Sequence, residues 1–227
     1  MPNTRPHLPF RDRQQAGQEL ARLLGHYRGQ PGLLVLALPR GGVAVACEVA
    51  RVLQAPLDIF VVRKLGFPGQ EEYAMGAIAS GGVCVMNPLT EGAVPPDLVQ
   101  AVVSREQAEL ARRELFYRQQ RPAEPLQDRI LIVVDDGLAT GATMQAALLA
   151  IRQQQPRHLA AAVPVGAADS CAALGGQADA VICCATPEPF RAVGRYYREF
   201  PQCSDDEVCM LLAQARRDHA RVSQSPA

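Results

Sequence analysis

Ile130-Leu131-Ile132-Val133-Val134 runs straight into Asp135-Asp136-Gly137-Leu138-Ala139-Thr140-Gly141-Ala142-Thr143. Five β-prone residues in a row fit a strand covered on both faces, and Met144, Ala147, Leu148 and Ile151 beyond the loop repeat at helical spacing. In an open parallel sheet, ligands bind past the carboxyl ends of the strands, where loops lead into helix N-termini. The amides of Ala139, Thr140, Gly141, Ala142 and Thr143, with the two threonine hydroxyls, are suited to surround a phosphate at the positive end of that helix. Gly141 lets the backbone approach closely. Asp135 and Asp136 suit a pair of vicinal hydroxyls, or a magnesium ion that bridges ligand oxygens. The plainer alternative has the acids merely ending a strand and Thr140 merely capping a helix. Two adjacent acids leaving an apolar strand repel each other, however, and without a ligand or cation that is a local cost. A P-loop is excluded, because no Gly-x-x-x-x-Gly-Lys-[Ser/Thr] run occurs.

Working outward, Leu33 to Leu38 predicts a buried strand, Pro39-Arg40-Gly41-Gly42 a tight connection, and Val43, Ala46, Cys47, Ala50 and Leu53 a helix. Ala16, Leu20, Leu23, Leu24 and Tyr27 fall at helical spacing before Gly25 to Gly32 breaks the pattern. A second strand is expected from Leu57 to Val62. Arg63 to Gln70, rich in Gly, Pro and charge, reads as a loop, and Tyr73 to Ile78 with Val83 to Met86 around Gly81-Gly82 as a hairpin. Asp97 to Arg118 predicts a charged helix lying on the surface or across a partner, and Arg121 to Asp128 a connection. Leu159 to Val165 and Ala180 to Cys184 complete a series of apolar runs alternating with helices. The fold class is therefore α/β, a doubly wound and mainly parallel sheet with helices on both faces.

A chain of 227 residues with 48% hydrophobic content can bury a full-sized core, so one main domain is expected, with a disordered tail at 223–227. Its 23 basic residues cancel its 23 acidic ones, which gives no electrostatic footprint for nucleic acid or an anionic membrane. Arg5, Arg11, Asp12 and Arg13 interrupt the N-terminal apolar stretches, and no later run reaches membrane-spanning length, so a soluble, cytoplasmic protein is expected. Seven cysteines, an odd number without a Cys-x-x-Cys pair, read as buried free thiols. The four histidines, His7, His26, His158 and His219, show no metal spacing.

Val133 to Thr143 resembles the signature by which type I phosphoribosyltransferases bind phosphoribosyl pyrophosphate (PRPP). In that family the acid pair contacts the ribose 2- and 3-hydroxyls and the Ala-Thr-Gly-x-Thr stretch holds the 5-phosphate. Gly137 and Ala142 depart mildly from the commonest pattern without removing a ligand group. Leu38-Pro39-Arg40-Gly41-Gly42 is similar to the family's pyrophosphate loop, which often contains a cis peptide. Arg63-Lys64-Leu65-Gly66 through Tyr73 resembles in position the flexible lid, where Arg63 or Lys64 would neutralise departing pyrophosphate. The resemblance covers roughly residues 33 to 189. The arrangement also looks like a stand-alone group with an Ala-Leu-Pro-Arg-Gly-Gly start and no known substrate.

The resemblance implies one phosphoribosyltransferase domain with its core at about 30–187 and a small hood over the acceptor from about 1–29 and 188–222. Phe190, Tyr196 and Tyr197 are the hood aromatics suited to stack on a planar base, although core packing is the favoured role for any one of them. The implied reaction transfers 5-phosphoribosyl from PRPP to a nitrogen nucleophile, a purine-like base being favoured, with Mg²⁺ as cofactor and a homodimer as the expected assembly. Asp135 and Asp136 would steady the ribose cation and help hold Mg²⁺, while Arg40 and Lys64 would steady pyrophosphate. Ala139 stands where some 6-oxopurine members carry an aspartate. Glu72-Tyr73 only partly matches the adenine-type lid, which leaves Glu72 a weak general-base candidate and the acceptor open. The competing reading is a non-catalytic PRPP or nucleotide sensor on the same fold, and a plain interaction module would leave the acid and threonine cluster unexplained.

Overall fold

Alternate residues of the apolar runs pack to opposite sides, which is what makes them strands of one doubly covered sheet. The computed structural model describes residues 7–87, 90 and 92–224. Its main sheet is built from β1 (Leu33–Ala37), β2 (Leu57–Ile59), β6 (Ile130–Val134), β7 (His158–Val165) and β8 (Ala180–Ala185), in the order β2-β1-β6-β7-β8 and parallel throughout. Leu33, Val35, Ala37, Ile132 and Val134 face one core, and Leu34, Leu36, Leu131 and Val133 face the other. All five residues of β1 and all five of β6 are buried. Burial on that scale contributes roughly 1.5–3 kcal/mol per large apolar side chain.

The helices divide between the two faces. α1 (Arg13–Leu23), α2 (Gly41–Leu53) and α6 (Asp205–Gln224) close the first core, and α4 (Ala142–Arg152) closes the second, with the short α5 (Ala168–Ala173) over β8. Asp12 caps α1 by accepting from the Gln15 amide at 2.8 Å. α6 went unread in the sequence, yet its start is encoded locally. Ser204 Oγ accepts from the Glu207 amide at 3.1 Å, and Asp205, Asp206 and Glu207 place negative charge in the first turn. α6 continues through residues 223 and 224, where a disordered tail was expected, and residues 225–227 lie outside the described set, as do residues 1–6 of the expected hood.

The stretch expected to form a loop does not. Val62–Phe67 forms β3, which pairs antiparallel with β4 (Gln70–Ala79), and β4 turns at Gly81-Gly82 into β5 (Val83–Met86). Only residues 68 and 69 are left as the turn between β3 and β4. Gly and charge fall within a strand here because its neighbours, not its own composition, supply the pairing. The expected strand to Val62 accordingly splits: β2 ends at Ile59, and the chain crosses to the small sheet at Phe60-Val61, where Ser80 Oγ accepts from the Val61 amide at 2.8 Å.

α3 (Pro96–Arg118) is the long charged helix, and it ends on a charged anchor. Arg118 donates to both oxygens of Asp58 at 3.1 and 3.3 Å, to Glu114 at 2.7 Å and to the Ile59 carbonyl at 2.8 Å. Its side chain is 9% exposed and that of Asp58 13%. Among the described residues no helix is long and apolar enough to cross a membrane. Arg118→Met removes one partner of a desolvated pair and leaves Asp58 without its main cation. It is expected to destabilise the fold by about 3 kcal/mol, read as a lower urea midpoint with an unchanged slope, and a loss no larger than that of an exposed Arg112→Met control would refute the anchor.

Candidate functional site at the switch between β1 and β6

The connection from β1 runs through α2 on one face of the sheet, and that from β6 runs through α4 on the other. β1 and β6 therefore flank the point where the winding reverses, and a crevice must open past their carboxyl ends. Leu36 is paired with Val133 and Ala37 with Val134, and the Leu38 amide donates to Val134 O at 2.9 Å, so the loops that follow leave side by side. Both sequence-read loops enter this crevice.

Their contact is close because Gly41 and Gly42 have no side chains. A Cβ on Gly41 would collide with the Asp136 carboxylate, and one on Gly42 would lie 2.8 Å from Val134 O and 2.9 Å from Asp135 Cα. The Pro39-Arg40 peptide is cis. Arg40 starts α2 with its side chain half-exposed and its guanidinium 3.9 Å from Asp205.

Gly141 begins α4 in the left-handed region at φ 78°, and its carbonyl accepts from the Gln145 amide at 2.8 Å. The amides of Ala139, Thr140, Gly141, Ala142 and Thr143 have no acceptor among the described residues. Ala139, Thr140, Ala142 and Thr143 are exposed. Five open donors at the start of an eleven-residue helix have the geometry that suits an anion.

The acid pair is held on three sides. The Asp136 amide donates to Asp135 Oδ1 at 2.8 Å, and Arg13 Nε donates to Asp136 Oδ2 at 2.8 Å with both side chains largely buried. Tyr197 donates its hydroxyl proton to the Asp136 carbonyl at 2.6 Å. Arg13 also donates to Pro201 O at 2.8 Å, and its guanidinium lies 3.8 Å over the Phe200 ring, which stacks on Tyr197 at 4.8 Å. Burial pushes both carboxyls above their ordinary range; for Asp135 the neighbouring charge of Asp136 adds to the rise, while Arg13 partly offsets it for Asp136.

Arg13 and Tyr197 are the residues that the sequence did not mark for these contacts. Arg13 is separated from Asp136 by 123 positions, and its place directly after the helix cap Asp12 gives no sign of that partner. Tyr197, expected among the base-stacking aromatics, is instead packed between Phe10 and Phe200 and 6% exposed, so its ring is committed to the core. Phe190 and Tyr196 lie against each other with ring centroids 5.2 Å apart. Phe190 borders a cleft of about 660 Å³ formed with Ala167, Ala168, Asp169 and Pro187 to Pro189. A second cavity of about 460 Å³ between α1, α2 and α6 reaches Arg13, but Asp135, Asp136 and residues 139–143 do not line it.

Arg63 is held away from the role expected of it. On β3 it donates twice to Glu106 Oε2 of α3, at 2.9 and 2.5 Å. Lys64 is exposed on the same strand, opposite Ala77. The side chains of residues 70–74, Glu72 and Tyr73 among them, lie outside the described set. Of the seven thiols only Cys203 is buried outright, and Cys84 is exposed, so the expectation of buried thiols fails for most of them.

Fold and crevice together define a doubly wound α/β protein with an acid pair and an open helix N-terminus at its switch point. Residues 10–185 match the phosphoribosyl transferase domain. Two proteins of Mycobacterium tuberculosis, from strains CDC 1551 and H37Rv and each provisionally named a phosphoribosyl transferase, are 48% identical over 215 residues, covering 94% of this chain. The match covers 48% of each, so the chain spans about half the length of the curated relatives it matches. The crystal structure of TT1426 from Thermus thermophilus superposes with a TM-score of 0.82 at 40% identity, over 91% of this chain and 99% of that one. The chain belongs to the phosphoribosyltransferase family, with the type I fold.

Because both carboxyls are harder to ionise in the folded chain than in the unfolded one, they favour folding where they are protonated. That contribution is lost as pH rises through their folded values. Asp135→Asn, which keeps an acceptor for the Asp136 amide, is expected to raise the melting temperature in chelator at mildly alkaline pH, with the gain shrinking in acid. A melting shift of the same size at both ends of the range would overturn the assignment.

Proposed function

We propose that this chain transfers the 5-phosphoribosyl group of PRPP to a nitrogen nucleophile, a purine-like base being favoured, and releases pyrophosphate. The observation that carries this reading is the crevice itself, in which Gly41-Gly42 lie against Asp135-Asp136 and the open amides of Ala139 to Thr143 follow on the same strand end. A ligand with vicinal hydroxyls between two phosphate groups matches that order of donors and acceptors. The amides and the hydroxyls of Thr140 and Thr143 take the 5-phosphate. Asp135 and Asp136 accept from the ribose hydroxyls, and Arg13 holds Asp136 in place to do so. The backbone at Arg40, Gly41 and Gly42 receives pyrophosphate, with Arg40 and Lys64 as the cations that steady it.

Bond breaking at the anomeric carbon puts positive charge on the ribose ring and negative charge on the leaving pyrophosphate. Carboxylates fixed beside the ring stabilise the first, and they act only as that charge develops. The same residues fit Mg²⁺. Two carboxylates stand at the strand end, and no group of three or more His, Cys, Asp or Glu gathers among the described residues, so ligand oxygens and water would complete its shell. When bound, the ion supplies charge neutralisation to the pyrophosphate. The cleft beside Phe190 is the place for the acceptor. Exposed Leu115, Phe116 and Met210, on the packed helices α3 and α6, support a homodimer.

The deciding experiment is pyrophosphate release with PRPP and Mg²⁺ across a panel of nucleobases and other amines. Release with a purine-like acceptor is expected, whereas tight PRPP binding without turnover on any acceptor would make the chain a sensor. Two variants then separate binding from chemistry. Thr140→Val is expected to weaken PRPP and ribose 5-phosphate alike by about 1–3 kcal/mol. Asp136→Asn is expected to lower turnover more than PRPP affinity, by about tenfold per 1.4 kcal/mol of lost transition-state stabilisation. Full turnover in Asp136→Asn, or unchanged ribose 5-phosphate binding in Thr140→Val, would show these residues assigned to the wrong ligand.

A further inference from the structure

Cys171 of α5 and Cys183 of β8 are free thiols beside Gly166. Both sulfurs crowd the same side of Gly166, where a Cβ would lie 2.7 Å from Cys171 Sγ and 3.5 Å from Cys183 Sγ. Neither residue is sealed in the core. Cys183 is fixed: its strand is paired with β7 along its length, and its sulfur lies 3.1 Å from the Ala185 carbonyl. Cys171 rides on a helix of only six residues.

That helix stands between the loop after β6 and the cleft beside Phe190. The Ala167 amide donates to Leu138 O at 2.9 Å, and Ser170 Oγ donates to Ala139 O at 2.5 Å. Ser170 Cβ is also 3.7 Å from the Cβ position of Gly141. On its other side, Ala167, Ala168 and Asp169 line the cleft that Phe190 borders. A displacement of Cys171 is therefore felt both by the loop with the open amides and by the acceptor cleft.

We propose that Cys171 and Cys183 form a reversible oxidation site that controls this loop through α5. The oxidant is a hydroperoxide. The Cys171 thiolate attacks its O–O bond, gains one oxygen as a sulfenic acid and releases hydroxide or an alcohol. Cys183 then attacks the Cys171 sulfur; the S–S bond forms, the S–O bond breaks, and the oxygen leaves with the Cys183 proton as water. Two electrons pass from the two thiols to the peroxide, and a dithiol reductant returns them. The order of attack follows from the surroundings of the two thiols: Cys183 keeps its proton on the Ala185 carbonyl at 3.1 Å and is pushed above the usual thiol range by the neighbouring Cys171 and by burial, while Cys171, on the short helix, is held below that range by the nearby Cys183. Closing the bond draws the sulfurs to about 2 Å, and since β8 is locked in the sheet, α5 is the element that moves.

The test treats reduced protein with near-stoichiometric hydrogen peroxide and cleaves it before Asp179, which places Cys171 and Cys183 in different peptides. A dithiothreitol-sensitive peptide pair joined through these two cysteines is expected, absent in both Cys171→Ser and Cys183→Ser. Amide exchange at residues 138–143 is expected to quicken on oxidation in the wild type and not in Cys171→Ser. If the PRPP reading holds, PRPP affinity falls about tenfold in the oxidised form, within the usual range of coupling between sites. Thiol loss without that peptide pair, or the pair with unchanged exchange at 138–143, overturns the proposal. Failure of the reduced wild type to bind PRPP would instead tell against the transferase reading, because the peptide map and the exchange data need no ligand.

Discussion

Asp135 and Asp136 stand side by side at the end of a strand whose five residues are all buried, and much of the crevice is arranged around holding that charge. Two carboxylates in such a place are driven toward protonation by desolvation, and Asp135 further by the charge of Asp136. One arginine opposes this, from the first turn of α1. The guanidinium does not act alone. It is flattened against Phe200, which stacks on Tyr197, whose hydroxyl returns to the Asp136 backbone, so the side chain and main chain of one aspartate are fixed from a single hydrophobic cluster. A site that strains its own charges in this way is expected to give up stability for function.

The same cluster explains why the two ends of the chain meet. Phe10 donates its amide to Tyr196 O at 2.8 Å and accepts from Arg198 N at 2.8 Å, and the Glu199 amide donates to Arg11 O at 2.9 Å. These bonds carry Arg13 and Tyr197 to the crevice together. The segments around Phe10 and Tyr197 thus complete the acid pair, since they bring both the guanidinium and the hydroxyl that hold Asp136.

Most of the sheet was legible because its signal is local. Runs such as Leu33 to Leu38 and Ile130 to Val134 can be buried in few ways, and a glycine followed by a helix pattern at Gly141 marks a turn whatever surrounds it. The acid pair and the open amides were legible for the same reason. Arg13 was not, since nothing in its neighbourhood shows a partner 123 residues away. Arg63 failed in the opposite sense. Its Gly- and Pro-containing surroundings suggested a loop, but pairing with β4 and an ion pair to Glu106 both come from elsewhere in the chain and outweigh local composition. The start of α6 was legible in principle, as Ser204 followed three residues later by Glu207.

The fixed position of Arg63 also constrains how the crevice can balance charge. With Arg63 committed to Glu106 and Arg13 to Asp136, Arg40 is the loosely paired arginine at the crevice that the proposed reading has available for a polyphosphate. Arg40 is only loosely matched to Asp205 at 3.9 Å, and that carboxylate is already taken by the Tyr117 hydroxyl at 2.5 Å. Releasing Arg40 toward the crevice therefore breaks one weak, half-exposed pair of the kind that contributes about 0–1 kcal/mol. Releasing Arg63 would break two short bonds to a buried carboxylate and leave Glu106, among the described residues, with Arg105. In the proposed reading Arg40 is therefore the side chain that moves to meet an incoming phosphate, with β3 remaining where α3 holds it.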